Sequence, residues 1–302
     1  TQQETLFPYT TLFRSVDVWL VEGIKYNWTL LRITTDTGHT GVGEATNWPG
    51  SPLVYHAAQH LGQHIIGQDP RRIDYIWTKL YRDFNWQGPT GTMMCAMSGI
   101  DMALLDLKAK WLGVPCYELL GGAFRTEILL YANYWFTRGG HNPDDYAEQA
   151  REVVAAGFTG LKFDPFAHTN YLFGDDLSSN LTLSSEQEQL AVDITAAVRD
   201  AVGDGVQLML ETHAFLSMPT AIRMAKRLEP YGITWYEEPA GPESAETLRY
   251  LNEQISIPLC VGERHYSRWG FRPVLEQHAV DYIMPDITRG GGPNALKTTA
   301  TL

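Results

Sequence analysis

Residues 207–239 read QLMLETHAFLSMPTAIRMAKRLEPYGITWYEEP. Two short apolar runs, QLMLET and ITWYEE, flank a segment from Pro219 to Leu228 whose apolar residues recur at helical spacing, a strand, helix and strand in succession. Such a unit implies parallel strands. The same alternation extends outward. Upstream lie ILLYANYW, a helix from Tyr146 to Ala156, GLKFD, and a helix from Glu186 to Val202; downstream come a helix from Ser244 to Gln254, PLCVGE, a helix from Gly270 to Gln277, DYIMPD, and the start of a helix near Pro293. Six βα units in a row predict an α/β fold, a (β/α) barrel with about six of its eight units in place. The alternative is an open doubly wound sheet. It lacks support, because no G-x-G-x-x-G follows the first strand and Gly290-Gly291-Gly292 comes after the sixth with no P-loop lysine pattern.

The residues before ILLYANYW follow another pattern. Between Val16 and Ala45, the break at Asp36-Thr37-Gly38 predicts a hairpin of LLRITTD with HTGVGEA. From Leu53 to Gly122 the spacing is helical, with Met94, Ile100, Ala103, Leu104 and Leu107 on one face. The expected division is therefore an N-terminal α+β domain over residues 16–125 and a truncated barrel over 126–302. Residues 1–15 are set aside, since Thr5 to Ser15, TLFPYTTLFRS, matches the translation of a common sequencing-library adapter throughout. Two barrel strands are expected to be missing after Leu302, which would leave unpaired edges and little or no activity in the chain as it stands.

Composition narrows the function. With 44% hydrophobic and 19% charged residues and a formal net charge of −12, the chain reads as a globular protein without a nucleic-acid or anionic-membrane partner. Cys95, Cys116 and Cys260 form no C-x-x-C pair and are read as reduced thiols. No apolar run approaches the roughly 18 residues of a membrane span, and no signal peptide is visible, so the expected location is the cytoplasm.

Three successive predicted strands end in carboxylates, Glu211, Glu237 and Glu263, each 26 residues after the last. In a parallel barrel, the C-terminal strand ends converge on the active-site mouth. A lone strand-end glutamate is often a solvated rim residue; three at equal spacing are less easily explained so. Brought together, they would repel one another unless a divalent cation compensated them, and an all-oxygen ligand set suits Mg²⁺.

In this order and spacing LMLETH, WYEEP, PLCVGER and DYIMPD resemble the metal-site strands of the enolase superfamily, in its mandelate racemase-like branch, and SGIDMALLDLKAKWLGVPCYELLGG resembles the helix that precedes the family's barrel. The N-terminal domain would then be the family's capping domain. The resemblance implies that Glu211, Glu237 and Glu263 bind Mg²⁺, with Glu238 beside them. Glutamate in place of the usual aspartate at the first ligand is similar to gluconate- and galactonate-type dehydratases, which share the GLKFDPF-like strand and the G-E-R motif.

The base can be narrowed further. On a strand, residues i and i+2 face one side, so His213 is expected beside Glu211, and Lys162 with Asp164. Superfamily sites use a Lys or His base, and Lys162-Phe163-Asp164 lacks the second lysine of the racemase-type motif. His213 is therefore read as the base, Lys162 as an electrostatic contact to substrate or metal, and Asp164 as the group that holds Lys162 and lines the substrate site. Asp286 takes the position of an aspartate that orients a seventh-strand histidine, which would lie beyond residue 302. Arg264 and His265 are candidate contacts to substrate hydroxyls, as is Glu238 to the substrate. The segment Pro165 to Leu183 is a candidate lid, and Asn47, Trp48 and Pro49 are candidate distal contacts. The implied activity is dehydration of a sugar acid to a 2-keto-3-deoxy acid; racemase, epimerase or cycloisomerase chemistry and a catalytically silent paralogue remain open. The expected partners are a small sugar acid and, at full length, a second copy of the chain in a homo-oligomer.

Overall fold

The computed structural model describes residues 11–23, 26–88, 90–169 and 183–302. The predicted hairpin is present. Strands β1 (Phe13–Val21), β2 (Trp28–Thr35) and β3 (Thr40–Glu44) form an antiparallel sheet in that order, with Leu31 opposite Gly43 and Ile33 opposite Gly41. Helices α1 (Ser51–Gln63), α2 (Ile73–Asp83), α3 (Gly91–Leu112) and the short α4 (Cys116–Leu119) follow. The predicted face of α3 is its buried one, with Met94, Ile100, Ala103, Leu104 and Leu107 in a core with Leu31, Ile33 and Leu61. The two strand glycines explain how closely α3 lies on β3. A Cβ on Gly41 would sit 2.0 Å from the Ala103 carbonyl oxygen, and one on Gly43 2.0 Å from that of Gly99.

The second sheet is built from βα units. After α5 (Pro143–Ala155) come β4 (Gly160–Phe163), α6 (Ser185–Val202), β5 (Gln207–Glu211), α7 (Met218–Leu228), β6 (Ile233–Glu237), α8 (Ala245–Gln254), β7 (Leu259–Val261), α9 (Ser267–Glu276), β8 (Tyr282–Ile283) and α10 (Pro293–Thr299). Its five strands run in the order β4-β5-β6-β7-β8, every pair parallel, so the fold is barrel-like with an unclosed sheet. Helix starts are written in the sequence. Asn142 caps α5 by accepting from the Asp145 amide, with Pro143 in the first turn, and Ser184 with Gln187 forms a reciprocal capping box on α6. Leu161, Phe163, Leu208, Leu210 and Tyr236 pack against Ile194, Val198, Met224, Leu228 and Leu251 of the helices. The alternate positions, Lys162 and Glu211, are thereby turned to the other side of the sheet.

One expectation changes. ILLYANYW is not a strand: only Ala132 bridges to Leu161, while Ile128, Leu129 and Leu130 are 80%, 73% and 65% exposed and lack the packing that makes an extended apolar run stable. β1 starts at Phe13, inside the adapter-like segment, and Phe13 is buried in the N-terminal core; residues 1–10 lie outside the described residues. The chain divides into two compact units, one of Thr1–Thr126, Gly262–Arg272 and Pro285–Leu302 and another of Glu127–Val261 and Pro273–Met284. The reason for the last stretch is local to the first unit. Ser98 Oγ accepts from the Gly291 amide at 2.9 Å, Trp77 Nε1 donates to the Gly291 carbonyl at 2.8 Å, and Asp101 takes two hydrogen bonds from Asn294. Of the candidate lid, residues 170–182 lie outside the described residues. Among the described residues no helix is long and apolar enough to cross a membrane, and Cys95, Cys116 and Cys260 are free.

Candidate active site

Parallel register sets Glu211 directly beside Glu237 at the C-terminal ends of β5 and β6. Lys162 of β4 reaches both. Its Nζ lies 2.8 Å from Glu211 Oε2 and 2.8 Å from Glu237 Oε1, with all three side chains buried. The remaining carboxylate oxygens have fixed donors: the amides of Thr212 and His213 bond Glu211 Oε1 at 3.0 and 2.9 Å, and Trp235 Nε1 bonds Glu237 Oε2 at 3.1 Å.

The electrostatics of the pair are uneven. Burial opposes ionisation of Glu211, but Lys162 and then His213 outweigh it and hold the carboxyl at about 2. Burial and the neighbouring Glu211 charge push Glu237 the other way, to about 8. Burial also works against the Lys162 charge, yet the two glutamates hold that ammonium above the ordinary lysine range. Two carboxylates side by side are thus driven in opposite directions, Glu211 toward ionisation and Glu237 away from it.

His213 lies beside this group, though not by strand alternation. β5 ends at Glu211, and His213 and Ala214 have φ of 49° and 62°, in the left-handed region. The ring Nδ1 is 3.8 Å from Asp164 Oδ2 and 3.9 Å from Glu211 Oε1. Asp164 thus lies beside His213, while Lys162 pairs with the two glutamates. Tyr146 donates to the Asp164 backbone carbonyl, and the Phe166 amide donates to its carboxylate Oδ1, which fixes the side chain. Glu238 is fully buried. Its backbone is pinned by Thr212 Oγ1 and the Ala214 amide on its carbonyl and by its own amide on the Cys260 carbonyl.

The other predicted residues belong to the N-terminal unit, where they form a cluster of their own. Glu263 pairs with Arg264 at 3.0 Å and lies 3.9 Å from Arg289, whose Nε is 3.4 Å from Asp286. Thr288 bonds Asp286 Oδ1 through both its amide and its hydroxyl. His265 is buried, its ring 5.3 Å from that of Phe271. Arg289 was not anticipated; its position three residues after Asp286 in DITRGGG is the signal that sequence reading passed over.

A divalent cation can be tested against these groups. Among the described residues no group of three His, Cys, Asp or Glu side chains is disposed to hold a metal ion. Glu211 and Glu237 nevertheless present two oxygens to one cationic point, occupied by the Lys162 ammonium as a stand-in ion. Hard oxygen donors around a cation are the chemistry that Mg²⁺ takes.

A barrel-like parallel sheet with carboxylates, a lysine and a histidine at its C-terminal strand ends defines an α/β enzyme scaffold. Residues 22–121 match the mandelate racemase / muconate lactonizing enzyme N-terminal domain, and residues 145–302 the enolase C-terminal domain-like family. The chain belongs to the enolase superfamily, in its mandelate racemase / muconate lactonizing enzyme branch. It is 37% identical over 273 residues to D-gluconate dehydratase of Thermoproteus tenax, covering 90% of this chain and 53% of that protein. It is 36% identical over 266 residues to D-galactonate dehydratase of Ralstonia pickettii, covering 88% and 65%. The chain thus spans about half to two thirds of the length of these two relatives. Among solved structures it is similar to a member of the enolase superfamily from Salmonella Typhimurium, with a TM-score of 0.89 and 35% identity over 96% of this chain and 77% of that one. It is also similar to the 3,6-anhydro-D-galactonate cycloisomerase from Zobellia galactanivorans, with a TM-score of 0.81 and 25% identity over 96% and 76%.

Proposed function

We propose that the protein is a Mg²⁺-dependent sugar-acid dehydratase that removes the proton alpha to a carboxylate and eliminates the beta hydroxyl, giving a 2-keto-3-deoxy acid. The observation that carries the reading is the cluster of Lys162, Glu211 and Glu237 with His213 beside it, at strand ends where such folds do chemistry. The dehydratase names of its relatives support the substrate class. Glu211 and Glu237, with Glu263 as the third family position, would hold the metal, which when bound supplies electrostatic stabilisation of negative charge developing on the substrate carboxylate.

The chain's own residues divide the remaining work. Asp164 and Glu211 face His213 Nδ1, so the favoured neutral tautomer carries its proton there and leaves Nε2 as the basic nitrogen. His213 Nε2 takes the alpha proton, and the charged product is stabilised by the same two carboxylates. Lys162 keeps positive charge at the site, which favours an anionic substrate. Arg264 and His265 are proposed to bind substrate hydroxyls, and Asp286 to orient the general acid.

Incubation of the full-length protein with C5 and C6 aldonic acids and Mg²⁺, with 2-keto acid formation as the readout, tests the reading. Metal-dependent formation of a 2-keto-3-deoxy acid is expected. Exchange of the alpha proton with deuterium from solvent and no loss of water would instead establish racemase or epimerase chemistry. Neither exchange nor product across the panel would leave a silent paralogue.

A further inference from the structure

Resting on the reading that Glu211 and Glu237 hold a divalent ion, we propose that Lys162 is a resident counter-ion for that site, which competes with the metal and sets its affinity. The argument is one of oxygens. Glu211 Oε1 is tied to two backbone amides and Glu237 Oε2 to the Trp235 indole. The two oxygens that face Lys162, Glu211 Oε2 and Glu237 Oε1, are both held by its Nζ at 2.8 Å.

A divalent ion that uses the same two oxygens must enter the space Nζ fills. The ammonium must then move off, breaking two charge-assisted hydrogen bonds, or remain within a few ångströms of a second positive centre. Either outcome weakens metal binding relative to a site with a neutral residue at 162. The lysine also has a use before metal arrives: without it, two buried carboxylates stand side by side with no cation between them. It lets the sheet fold with its metal pair assembled.

The test is divalent-ion affinity in the full chain, with no turnover required. Mg²⁺ binding is followed by calorimetry, and Tb³⁺ binding by luminescence sensitised through Trp235, with Trp235→Phe as the control for other tryptophans. Lys162→Met and Lys162→Gln are expected to bind at least about tenfold more tightly than the wild type, because the competing charge is gone. Lys162→Arg, which keeps that charge, should show no such gain. Both neutral variants should melt earlier than the wild type without metal and gain more in melting temperature from it. The glutamine variant keeps a polar side chain against the carboxylates, so the test stands if the methionine variant does not fold.

Unchanged or weaker affinity in a folded neutral variant would overturn the proposal while leaving the metal site intact. Failure of wild type and neutral variants alike to bind either ion would overturn the metal reading itself. Absence of dehydratase turnover in the wild type, with the affinity pattern as expected, would refute only the proposed reaction.

Discussion

Asp101 ties the stretch after β8 to α3, and its replacement by asparagine gives a stability change with a distinctive pH signature. The side chain is 1% exposed. Its Oδ2 accepts from the Asn294 amide at 3.0 Å and its Oδ1 from Asn294 Nδ2 at 2.9 Å. Burial outweighs these bonds and pushes the carboxyl from 3.8 up to about 6. A carboxyl raised in the folded state binds its proton more tightly there than in the unfolded chain. Its contribution is therefore fully present below pH 3.8 and is lost as pH rises through about 6. A shift of about two units corresponds to roughly 3 kcal/mol, of which about 2 to 3 kcal/mol falls between pH 4 and 7.5. The carboxamide of the Asp101→Asn variant cannot ionise, and a turned Asn294 amide can still satisfy it. Asp101→Asn should therefore gain about 2 to 3 kcal/mol on the wild type in going from pH 4 to 7.5. Urea unfolding of both proteins at several pH values checks this, and the comparison cancels the other titrating groups. Parallel stability curves for the two would refute the placement of an ionisable, buried Asp101.

Three further outcomes follow from the geometry. His213→Asn suits the φ of 49°, since asparagine tolerates the left-handed region; it should keep the melting temperature while turnover falls about 10²- to 10⁴-fold, as steady-state kinetics would show. Gly43→Ala places a methyl 2.0 Å from the Gly99 carbonyl oxygen, and should cost about 3 kcal/mol or more in denaturant unfolding as α3 is forced from the sheet. Leu129→Lys, at a side chain 73% exposed, should change unfolding free energy by no more than about 0.5 kcal/mol while reducing self-association in sedimentation velocity, because it breaks an exposed apolar run.

What could be read from sequence was set by how local its cause is. The helices from α5 to α8 announced themselves because amphipathic spacing, Asn142 and the Ser184–Gln187 box are properties of a single segment. β4, β5 and β6 were visible as short apolar runs. ILLYANYW reads equally well as a strand, yet a strand exists only with a neighbour, and two backbone hydrogen bonds at Ala132 are what it obtains. The candidate site shows the same divide. Strand-end glutamates could be placed by counting, whereas the hold of Lys162 on two of them depends on the register that sets Glu211 against Glu237. Arg289 is a nonlocal case too, since its partners Glu263 and Asp286 come from separate segments.

His213 was placed near Glu211 by an alternation that does not reach it, and the reason it still arrives there bears on the chemistry. The chain leaves β5 at Glu211 and turns through left-handed residues 213 and 214; it leaves β6 at Glu237 and turns through a left-handed Glu238 with φ of 41°. Non-glycine residues in that region each cost about 1 to 3 kcal/mol and persist only where surroundings over-determine them. Thr212 provides that constraint: its hydroxyl bonds the carbonyls of both Glu237 and Glu238, at 2.9 and 2.6 Å, and its amide bonds Glu237 as well. The turn then aims the amides of Thr212 and His213 back at Glu211 Oε1. A relaxed, extended continuation would carry these donors away and leave the buried carboxylate with Lys162 as its support. Strain in three residues is thus exchanged for a fixed carboxylate and a histidine held within 4 Å of it, an arrangement set before any substrate binds.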